Sequence, residues 1–245
     1  MQNLIIKKIY DPYPVWIIDD FLPENLANKV LENWPKENEG WNSGHSVING
    51  KKNILEQGMK ALSSLTFMPE FYKEFIKDLN SEKNMKLYEE ITGIKDLIFD
   101  KHFRWSGLRE MEPGGYQLIH SDARQHPETG FTKALTHLLY FNKENYNKEK
   151  HQGCLEIWSD DLLELKAEIE PLHNRMVIFL NTDKSYHGVP KNNTHRKMIT
   201  FSTLTSDLCY DRSKALFVSR KNIDSDEISQ IGKKRAYVED KIGKV

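Results

Sequence analysis

The sequence predicts a mainly β fold, a double-stranded β-helix (jelly roll) core supported by N-terminal α-helices on one sheet. Two observations lead to this class. Up to about residue 96, apolar residues recur at helical spacing. From residue 97 onward, short β-rich segments alternate with Gly, Pro and Asn, and eight such segments suit a jelly roll. The apolar stripes of the helices need a surface, which the outer face of one sheet provides.

The N-terminal region is predicted to contain one strand followed by helices. Residues 15–20 form the predicted strand. Pro23 and Pro69 each open a helix, because a proline at the first turn loses no hydrogen bond there. Apolar residues follow each proline at a spacing of four: Leu26, Val30 and Trp34, and then Phe71, Phe75 and Leu79. Residues 84–92 form a further predicted helix that ends at a glycine, and residues 53–65, which contain an internal glycine, are a weaker helix candidate.

The second half of the chain is predicted to supply the strands of the core. They are residues 97–105, 108–112, 116–120, 133–142, 154–158, 175–180, 185–189 and 196–205. We see no linker or repeat between these segments. We therefore expect a single domain over residues 1–245, with helical support over 1–96, the jelly-roll core over 97–207 and a C-terminal extension over 208–245.

Composition excludes several classes of function. Lys and Arg number 35 against 36 Asp and Glu, so a net charge of -1 provides no overall attraction to nucleic acid or anionic lipid. The apolar runs are too short for a membrane helix or a signal peptide. Cys154 and Cys209 are too few for a disulfide scaffold and are expected as half-buried thiols in a reducing compartment. We expect a cytoplasmic protein with no nucleic-acid or membrane partner; the oligomeric state is not predicted.

A His-x-Asp triplet ends one predicted strand and indicates a metal site. His120 and Asp122 project to the same face because strand side chains alternate. A third ligand must come from another strand, and His187, after the apolar segment MVIFL, is the candidate. Two imidazoles and one carboxylate form a facial triad that suits non-haem iron(II), although manganese, cobalt, nickel and zinc also bind such a set. A second triplet, His126 with Glu128, surrounds a proline in a predicted loop and is interpreted as a decoy.

An arginine nine residues after His187 indicates an anionic co-substrate. Arg196 opens the segment RKMITFST, and a guanidinium binds a carboxylate through two parallel hydrogen bonds. Arg196 and Lys197 cannot both face inward, because neighbouring strand residues point to opposite faces. We predict that Arg196 faces inward. The residues after it then divide into an inward set and an apolar outward set: Met198, Thr200 and Ser202 against Ile199 and Phe201.

Residues 108–205 resemble the iron(II)/2-oxoglutarate-dependent dioxygenases, in their prolyl-4-hydroxylase-like branch. The similarity covers about two fifths of the chain. It consists of an ordered series of segments: LREMEPGGYQLIHSDA, LTHLLYFN, GCLEIW, EPLHNRMVIFL, HGVP and the arginine. The N-terminal segment VWIIDDFLP is also similar to the family's usual entry strand and turn.

The resemblance implies the metal ligands and the co-substrate anchor. His120, Asp122 and His187 match the iron ligands, and Arg196 matches the partner of the distal carboxylate of 2-oxoglutarate. Lys197 stands where some prolyl hydroxylases of this branch have a lysine.

Three further residues are implied to bind the co-substrate. Tyr140 matches a tyrosine whose hydroxyl adds a hydrogen bond to the distal carboxylate, and Thr136 shares its face of the strand. Tyr116 lies four residues before His120 and is expected, by the same parity, to reach the other end of 2-oxoglutarate.

The activity that the resemblance implies is hydroxylation of an unactivated C–H bond. It would use Fe(II), 2-oxoglutarate and O2, with ascorbate as an optional reductant, and release succinate and CO2. The substrate would be a prolyl or other residue of a peptide, or a small metabolite. Asp122 favours hydroxylation over halogenation, because related halogenases have a small residue in its place. The alternative is a metal-binding, cupin-like jelly roll without oxygenase activity, which would not need Arg196 and Tyr140.

Loops outside the core are expected to select the substrate. Residues 38–52 are rich in glycine and predict a mobile lid, and Arg124 and Gln125 directly follow the metal strand. The segment after Asp211 has nine Lys and Arg against five Asp and Glu, which we interpret as a solvated terminal face.

Overall fold

Strands dominate the fold of the chain. The computed structural model describes residues 4–36, 40–42, 47–48, 51–142 and 146–238. The helices are α1 (Glu24–Glu32), α2 (Glu70–Leu79), α3 (Glu82–Thr92), α4 (Lys148–His151) and α5 (Asp226–Val238). The strands are β1 (Ile6–Ile9), β2 (Val15–Ile18), β3 (Val47–Ile48), β4 (Lys51–Lys52), β5 (Glu56–Leu62), β6 (Ile98–Phe99), β7 (Gly107–Ser121), β8 (Phe131–Tyr140), β9 (Leu155–Trp158), β10 (Leu165–Ile169), β11 (Met176–Leu180), β12 (His187–Val189), β13 (Arg196–Leu208) and β14 (Leu216–Phe217).

One curled antiparallel sheet contains all of these strands except the β3–β4 pair. Its order is β1-β2-β11-β8-β13-β7-β12-β9-β10, with β5 and β14 also paired to β7 and β6 paired to β13. The long strand β7 connects the two halves of the jelly roll, because its first part pairs with β13 and its last part with β12. The predicted mainly β jelly-roll class is therefore confirmed.

The alternation of side chains divides the core into an outer and an inner layer. Ile199 and Phe201 of β13 pack outward with the helices α1 to α3, whereas Met198 belongs to the inner cluster between the two halves of the sheet. β11 divides in the same way, with Ile178 outward and Phe179 inward. The helices therefore cover one face of the sheet, as predicted, and leave the inner face free to form a cavity.

The predicted helix boundaries agree with the observed ones near their start and stop signals. Pro23 and Pro69 immediately precede α1 and α2. Ser81 precedes α3, and its hydroxyl accepts a hydrogen bond from the Asn84 amide at 3.4 Å. α3 ends at Gly93, which has a φ of +79° that only glycine adopts readily.

Several predicted elements are wrong, because strand pairing overrides local sequence preference. Residues 53–65, predicted as a helix, contain the strand β5, which pairs with β7 along its length. The predicted strand 97–105 is reduced to the two residues of β6. The predicted strands 108–112 and 116–120 form one continuous strand, β7. The strands β1, β3, β4, β10 and β14 and the helices α4 and α5 were not predicted.

The described residues include both cysteines and all five helices, which bear on the expectations about disulfides and membrane helices. Both cysteines are free thiols and are buried. No helix within the described ranges has the length and apolar character needed to cross a bilayer.

Candidate active site

Three predicted metal ligands meet at the end of β7. His120 lies on β7 opposite His187 of β12 in the antiparallel ladder, and Asp122 directly follows β7. Asp122 Oδ1 lies 3.6 Å from His120 Nε2 and 3.9 Å from His187 Nε2. The ligand atoms of all three residues lie within 4.8 Å of one another. The residues that the sequence predicts as one metal site are therefore adjacent in the structure.

Hydrogen bonds to the backbone orient both imidazoles. His120 Nδ1 lies 2.9 Å from the Leu118 carbonyl oxygen, and His187 Nδ1 lies 2.8 Å from the Ser185 carbonyl oxygen. Because a carbonyl only accepts, each Nδ1 carries the proton and each Nε2 presents its lone pair to the centre of the triad. Burial, reinforced by the neighbouring His120, lowers the pKa of His187 to about 4, so this ring is neutral near pH 7.

The donor set fits a single divalent ion. Two donor atoms that are each about 2.1 Å from one ion lie at most about 4.2 Å apart. Both carboxylate-to-imidazole distances meet this limit. Two neutral imidazoles and one carboxylate form a facial triad that leaves one side of the ion open, as non-haem iron(II) oxygenases require.

Asp122 is held by Lys133 and Arg212, which the sequence did not identify, and by Thr136, which was expected to bind the co-substrate and lines the cavity. Its Oδ2 accepts hydrogen bonds from Lys133 Nζ at 2.7 Å and from Thr136 Oγ1 at 2.8 Å. Arg212 donates to the Asp122 backbone carbonyl at 3.0 Å and to the Ser121 hydroxyl. Burial alone would raise the pKa of Asp122, but Lys133 and the two histidines hold it well below its usual range. Oδ1 therefore remains an ionised ligand atom while Oδ2 is occupied by Lys133 and Thr136.

A cavity of 160 Å³ extends from the triad between the two halves of the sheet to Arg196. Arg196 is only 2% exposed, and it donates to the Tyr140 hydroxyl at 2.8 Å. Its Nε has no hydrogen-bond partner, and no carboxylate of the described residues forms an ion pair with it. A buried guanidinium without an acidic partner is costly unless an anion joins it. The deep end of the cavity therefore fits a carboxylate.

The orientation of β13 agrees with the predicted choice between its first two residues. Arg196, Met198 and Thr200 line the cavity. Lys197 points the other way, with its ammonium 5.5 Å from the centre of the Trp34 ring. Burial raises the pKa of the Tyr140 phenol, so its hydroxyl stays protonated and can donate to an anion beside Arg196.

Tyr116 is not brought to this site. Its hydroxyl donates to the Ile54 carbonyl oxygen at 3.3 Å, outside the cavity. The register of β7 against β12 shifts between residues 117 and 120, so the simple alternation that placed Tyr116 on the face of His120 does not hold. Gln117 lines the cavity instead.

The C-terminal extension forms one wall of the cavity mouth, contrary to the solvated face that was predicted. β14 pairs with β7 so that Phe217 lies opposite His120, with the two ring centres 4.9 Å apart. Arg235 of α5 donates to Glu56 Oε1 at 3.1 Å from each of two nitrogens. These residues, together with Trp105 and Lys133, border an outer space of 430 Å³ next to the triad.

The structure describes only part of the loops that were expected to select the substrate. Arg124 and Gln125 contact the C-terminal extension, through their amides to the Arg212 carbonyl, and do not line the cavity. Most of the predicted lid over residues 38–52 lies outside the described residues. His126 is buried and pairs with Asp100 at 3.1 Å, in agreement with its interpretation as a decoy for the metal site.

Trp105, Arg109, Lys133 and Arg212 are among the residues near the site that were missed from the sequence. Trp105 and Arg109 line the cavity near its mouth, and the Lys133 ammonium lies 5.1 Å from the centre of the Trp105 ring. A lysine inside the otherwise apolar and neutral segment KALTHLLY of β8 was a usable signal, because a charge on the inner face of a buried strand needs a partner. Arg212 carries no such local signal.

Comparison with known proteins agrees with this geometry. Residues 106–202 match the model of the 2OG-Fe(II) oxygenase superfamily. The matched span contains the three triad residues, Tyr140 and Arg196. A comparison with curated proteins finds no match.

Several solved structures share the fold. A prolyl hydroxylase from Trichoplax adhaerens, solved with a peptide fragment of the hypoxia inducible factor oxygen degradation domain, is 18% identical, with 78% of this chain and 83% of that chain covered and a TM-score of 0.58. A Pseudomonas putida prolyl-4-hydroxylase is 16% identical, with 78% and 92% covered and a TM-score of 0.56. The viral collagen prolyl hydroxylase of Paramecium Bursaria Chlorella virus-1 is 16% identical, with 81% and 99% covered and a TM-score of 0.52. At these identities the likeness establishes the fold.

Proposed function

We propose that the chain is a 2-oxoglutarate- and iron(II)-dependent dioxygenase of prolyl-4-hydroxylase-like type that hydroxylates an unactivated aliphatic C–H bond. The C–H bond belongs to a prolyl or other residue of a peptide, or to a small metabolite, and 2-oxoglutarate is converted to succinate and CO2. The observation that supports this proposal is the presence of the His120, Asp122 and His187 triad and the buried Arg196 in one cavity.

Each part of the triad has a defined task. His120 and His187 present their Nε2 atoms and Asp122 presents its ionised Oδ1, so these three atoms would hold iron(II). The iron, with 2-oxoglutarate and O2, supplies the oxidation of the C–H bond. The carboxylate of Asp122 takes the metal position that a halide would need for halogenation. Its presence therefore favours hydroxylation.

Arg196 and Tyr140 orient 2-oxoglutarate. The guanidinium of Arg196 binds the distal carboxylate, and the Tyr140 hydroxyl, which stays protonated, donates a second hydrogen bond to it. The apolar side chains of Leu138 and Met198 line the cavity between this end and the triad, and exclude water from the carbon chain of 2-oxoglutarate.

The substrate enters on the side of the triad that faces Trp105, Glu56 and the C-terminal extension. Two of the structural relatives are named as a prolyl hydroxylase bound to a peptide and a collagen prolyl hydroxylase, which supports a prolyl residue as the first substrate to test. The alternative function, metal binding in a cupin-like jelly roll, leaves the buried guanidinium of Arg196 without a role.

The experiment that tests the proposal follows succinate and product together. The purified protein is supplied with Fe(II), 2-oxoglutarate and 18O2, alone and with proline-containing peptides and free L-proline. We expect succinate that carries 18O and a product that gains one 18O atom. His187→Ala should abolish both, while His195→Ala, which removes an exposed histidine hydrogen-bonded to Glu110, should retain both. Tight metal binding without any succinate, even with His187 intact, would favour the cupin-like alternative.

A further inference from the structure

The charges that line the cavity are paired, with two exceptions. Asp122 pairs with Lys133 at 2.7 Å, and Glu56 pairs with Arg235 at 3.1 Å. Two arginines that line the cavity, Arg196 and Arg109, form no ion pair with a carboxylate of the described residues. Arg196 is assigned to 2-oxoglutarate above. Arg109 has no such assignment.

Arg109 lies nearer the mouth than Arg196. In the ladder between β7 and β13, Arg196 lies opposite Met111. Arg109 lies opposite Met198 and is two residues closer than Met111 to Gly107, where β7 begins. Arg109 Nη1 donates to the Ser63 hydroxyl at 2.8 Å and to the Leu108 carbonyl at 3.1 Å. Ser63 is exposed, so the guanidinium is located at the rim of the cavity.

The guanidinium of Arg109 is half-buried and has no ion-pair partner among the described residues. Burial lowers its pKa to about 10, and the more distant Glu56 offsets only part of this effect. Both hydrogen bonds that its Nη1 donates go to neutral acceptors, a hydroxyl and a carbonyl. An arriving carboxylate would therefore find a partly desolvated cation with donors still available.

We propose that Arg109 binds a carboxylate of the primary substrate, so that the enzyme acts on a molecule with a free carboxyl group. This inference rests on the proposed hydroxylase function. Arg109 lines the same cavity as the triad, so a carboxylate bound to it would belong to a molecule next to the metal ligands, either a small acid or the C-terminal residue of a peptide. These two sources share one recognition chemistry and are distinguished by the experiment.

The test compares acids with their amides on the anaerobic protein loaded with Fe(II) and 2-oxoglutarate. Binding is measured by calorimetry and by the change in the visible absorption band of the loaded protein. The probes are acetate and acetamide, L-proline and L-prolinamide, and acetyl-Gly-Pro with a free or an amidated C-terminus. We expect saturable binding of acids at least about tenfold tighter than that of the matched amides. Preference for L-proline indicates a free amino acid as the source, and preference for the dipeptide indicates a peptide C-terminus.

Variants link this preference to the arginine. Arg109→Gln should remove the difference between acids and amides, and Arg109→Lys should retain part of it, while neither changes the affinity for 2-oxoglutarate. Arg104→Gln, which replaces an exposed arginine, serves as the matched control. Equal binding of acids and amides, no saturable binding of any acid, or a loss of 2-oxoglutarate affinity in Arg109→Gln would each overturn the inference. Failure of the wild type to bind 2-oxoglutarate at all would instead refute the proposed function.

Discussion

Lys133 and Asp122 form an ion pair of 2.7 Å on the side of the carboxylate that faces away from the histidines. Lys133 is only 3% exposed, and it comes from a strand that contributes no metal ligand. The pair leaves Oδ1 for the metal and fixes the carboxylate at Oδ2, with Thr136 as a second donor. It therefore holds one ligand ionised and oriented before any metal arrives.

Replacing Lys133 should make metal binding sensitive to acid. In Lys133→Met the buried Asp122 loses the strongest influence that lowers its pKa, so the carboxyl takes up a proton at higher pH and competes with the metal. We expect Fe(II) affinity to fall more steeply between pH 7 and about 5.5 than in the wild type. The apoprotein should also lose about 3 kcal/mol of unfolding free energy. Lys197→Met, on the outer face of β13, is the control, and identical pH profiles of affinity in both variants would contradict this role of Lys133.

Arg196 and Tyr140 should contribute unequally to binding of 2-oxoglutarate. Arg196→Gln removes a buried cation and its charged hydrogen bonds, and should weaken binding by about 100-fold. Tyr140→Phe removes one neutral hydrogen bond, worth about 1 kcal/mol, and should weaken binding about fivefold. Calorimetric titration of the anaerobic Fe(II) protein measures both. A larger loss in Tyr140→Phe than in Arg196→Gln would show that the carboxylate is held elsewhere.

His137 should make the fold sensitive to acid without taking part in catalysis. Burial lowers its pKa from 6.5 to about 3, so below pH 6.5 the unfolded chain binds a proton that the folded protein excludes. The contribution of the neutral His137 ring to the free energy of unfolding is therefore complete above pH 6.5. It decreases as the pH falls, by up to about 1.4 kcal/mol per pH unit. The His137 ring stacks on the Phe201 ring with their centres 4.4 Å apart, and its Nε2 lies 3.3 Å from Thr203 Oγ1.

The unfolding free energy of His137→Phe should accordingly fall less steeply between pH 6.5 and about 4.5 than that of the wild type. Urea denaturation at several pH values measures the slope. His102→Gln, which changes an exposed ring, should keep the wild-type slope. A slope in His137→Phe equal to the wild-type slope would show that other groups govern acid unfolding.

Arg212 should act on the metal site through the backbone. It joins the C-terminal extension to the Ser121 hydroxyl and the Asp122 carbonyl, next to the carboxylate ligand. Arg212→Met should weaken Fe(II) binding about tenfold. Arg220→Met changes an arginine of the same extension that pairs with Asp224, and should leave Fe(II) affinity unchanged. Equal effects of the two changes would assign the loss to general disorder of the extension.

The site was predictable from sequence where strand alternation holds. Alternation, together with the division of β13 into a more polar and an apolar set, placed Arg196 inward and Ile199 outward, and it brought His120 and Asp122 to one face. It was wrong for Tyr116, because the register of β7 shifts beside β12 and local sequence does not record such a shift. The single-domain organisation stays a prediction.

The missed parts of the fold depend on distant pairing. The segment EQGMKAL favours a helix by composition, but as β5 it gains a ladder with β7. Likewise, the wall made by Phe217 and Arg235 follows from contacts with Glu56 and His120 that lie far away in sequence.

The most direct measurement for the central claim is anaerobic titration of Fe(II) and 2-oxoglutarate into the apoprotein, followed by visible absorption. We expect a charge-transfer band with one iron and one 2-oxoglutarate per chain, absent in Asp122→Ala and weakened in Arg196→Gln. One bound metal per chain without any band would contradict the proposed dioxygenase function.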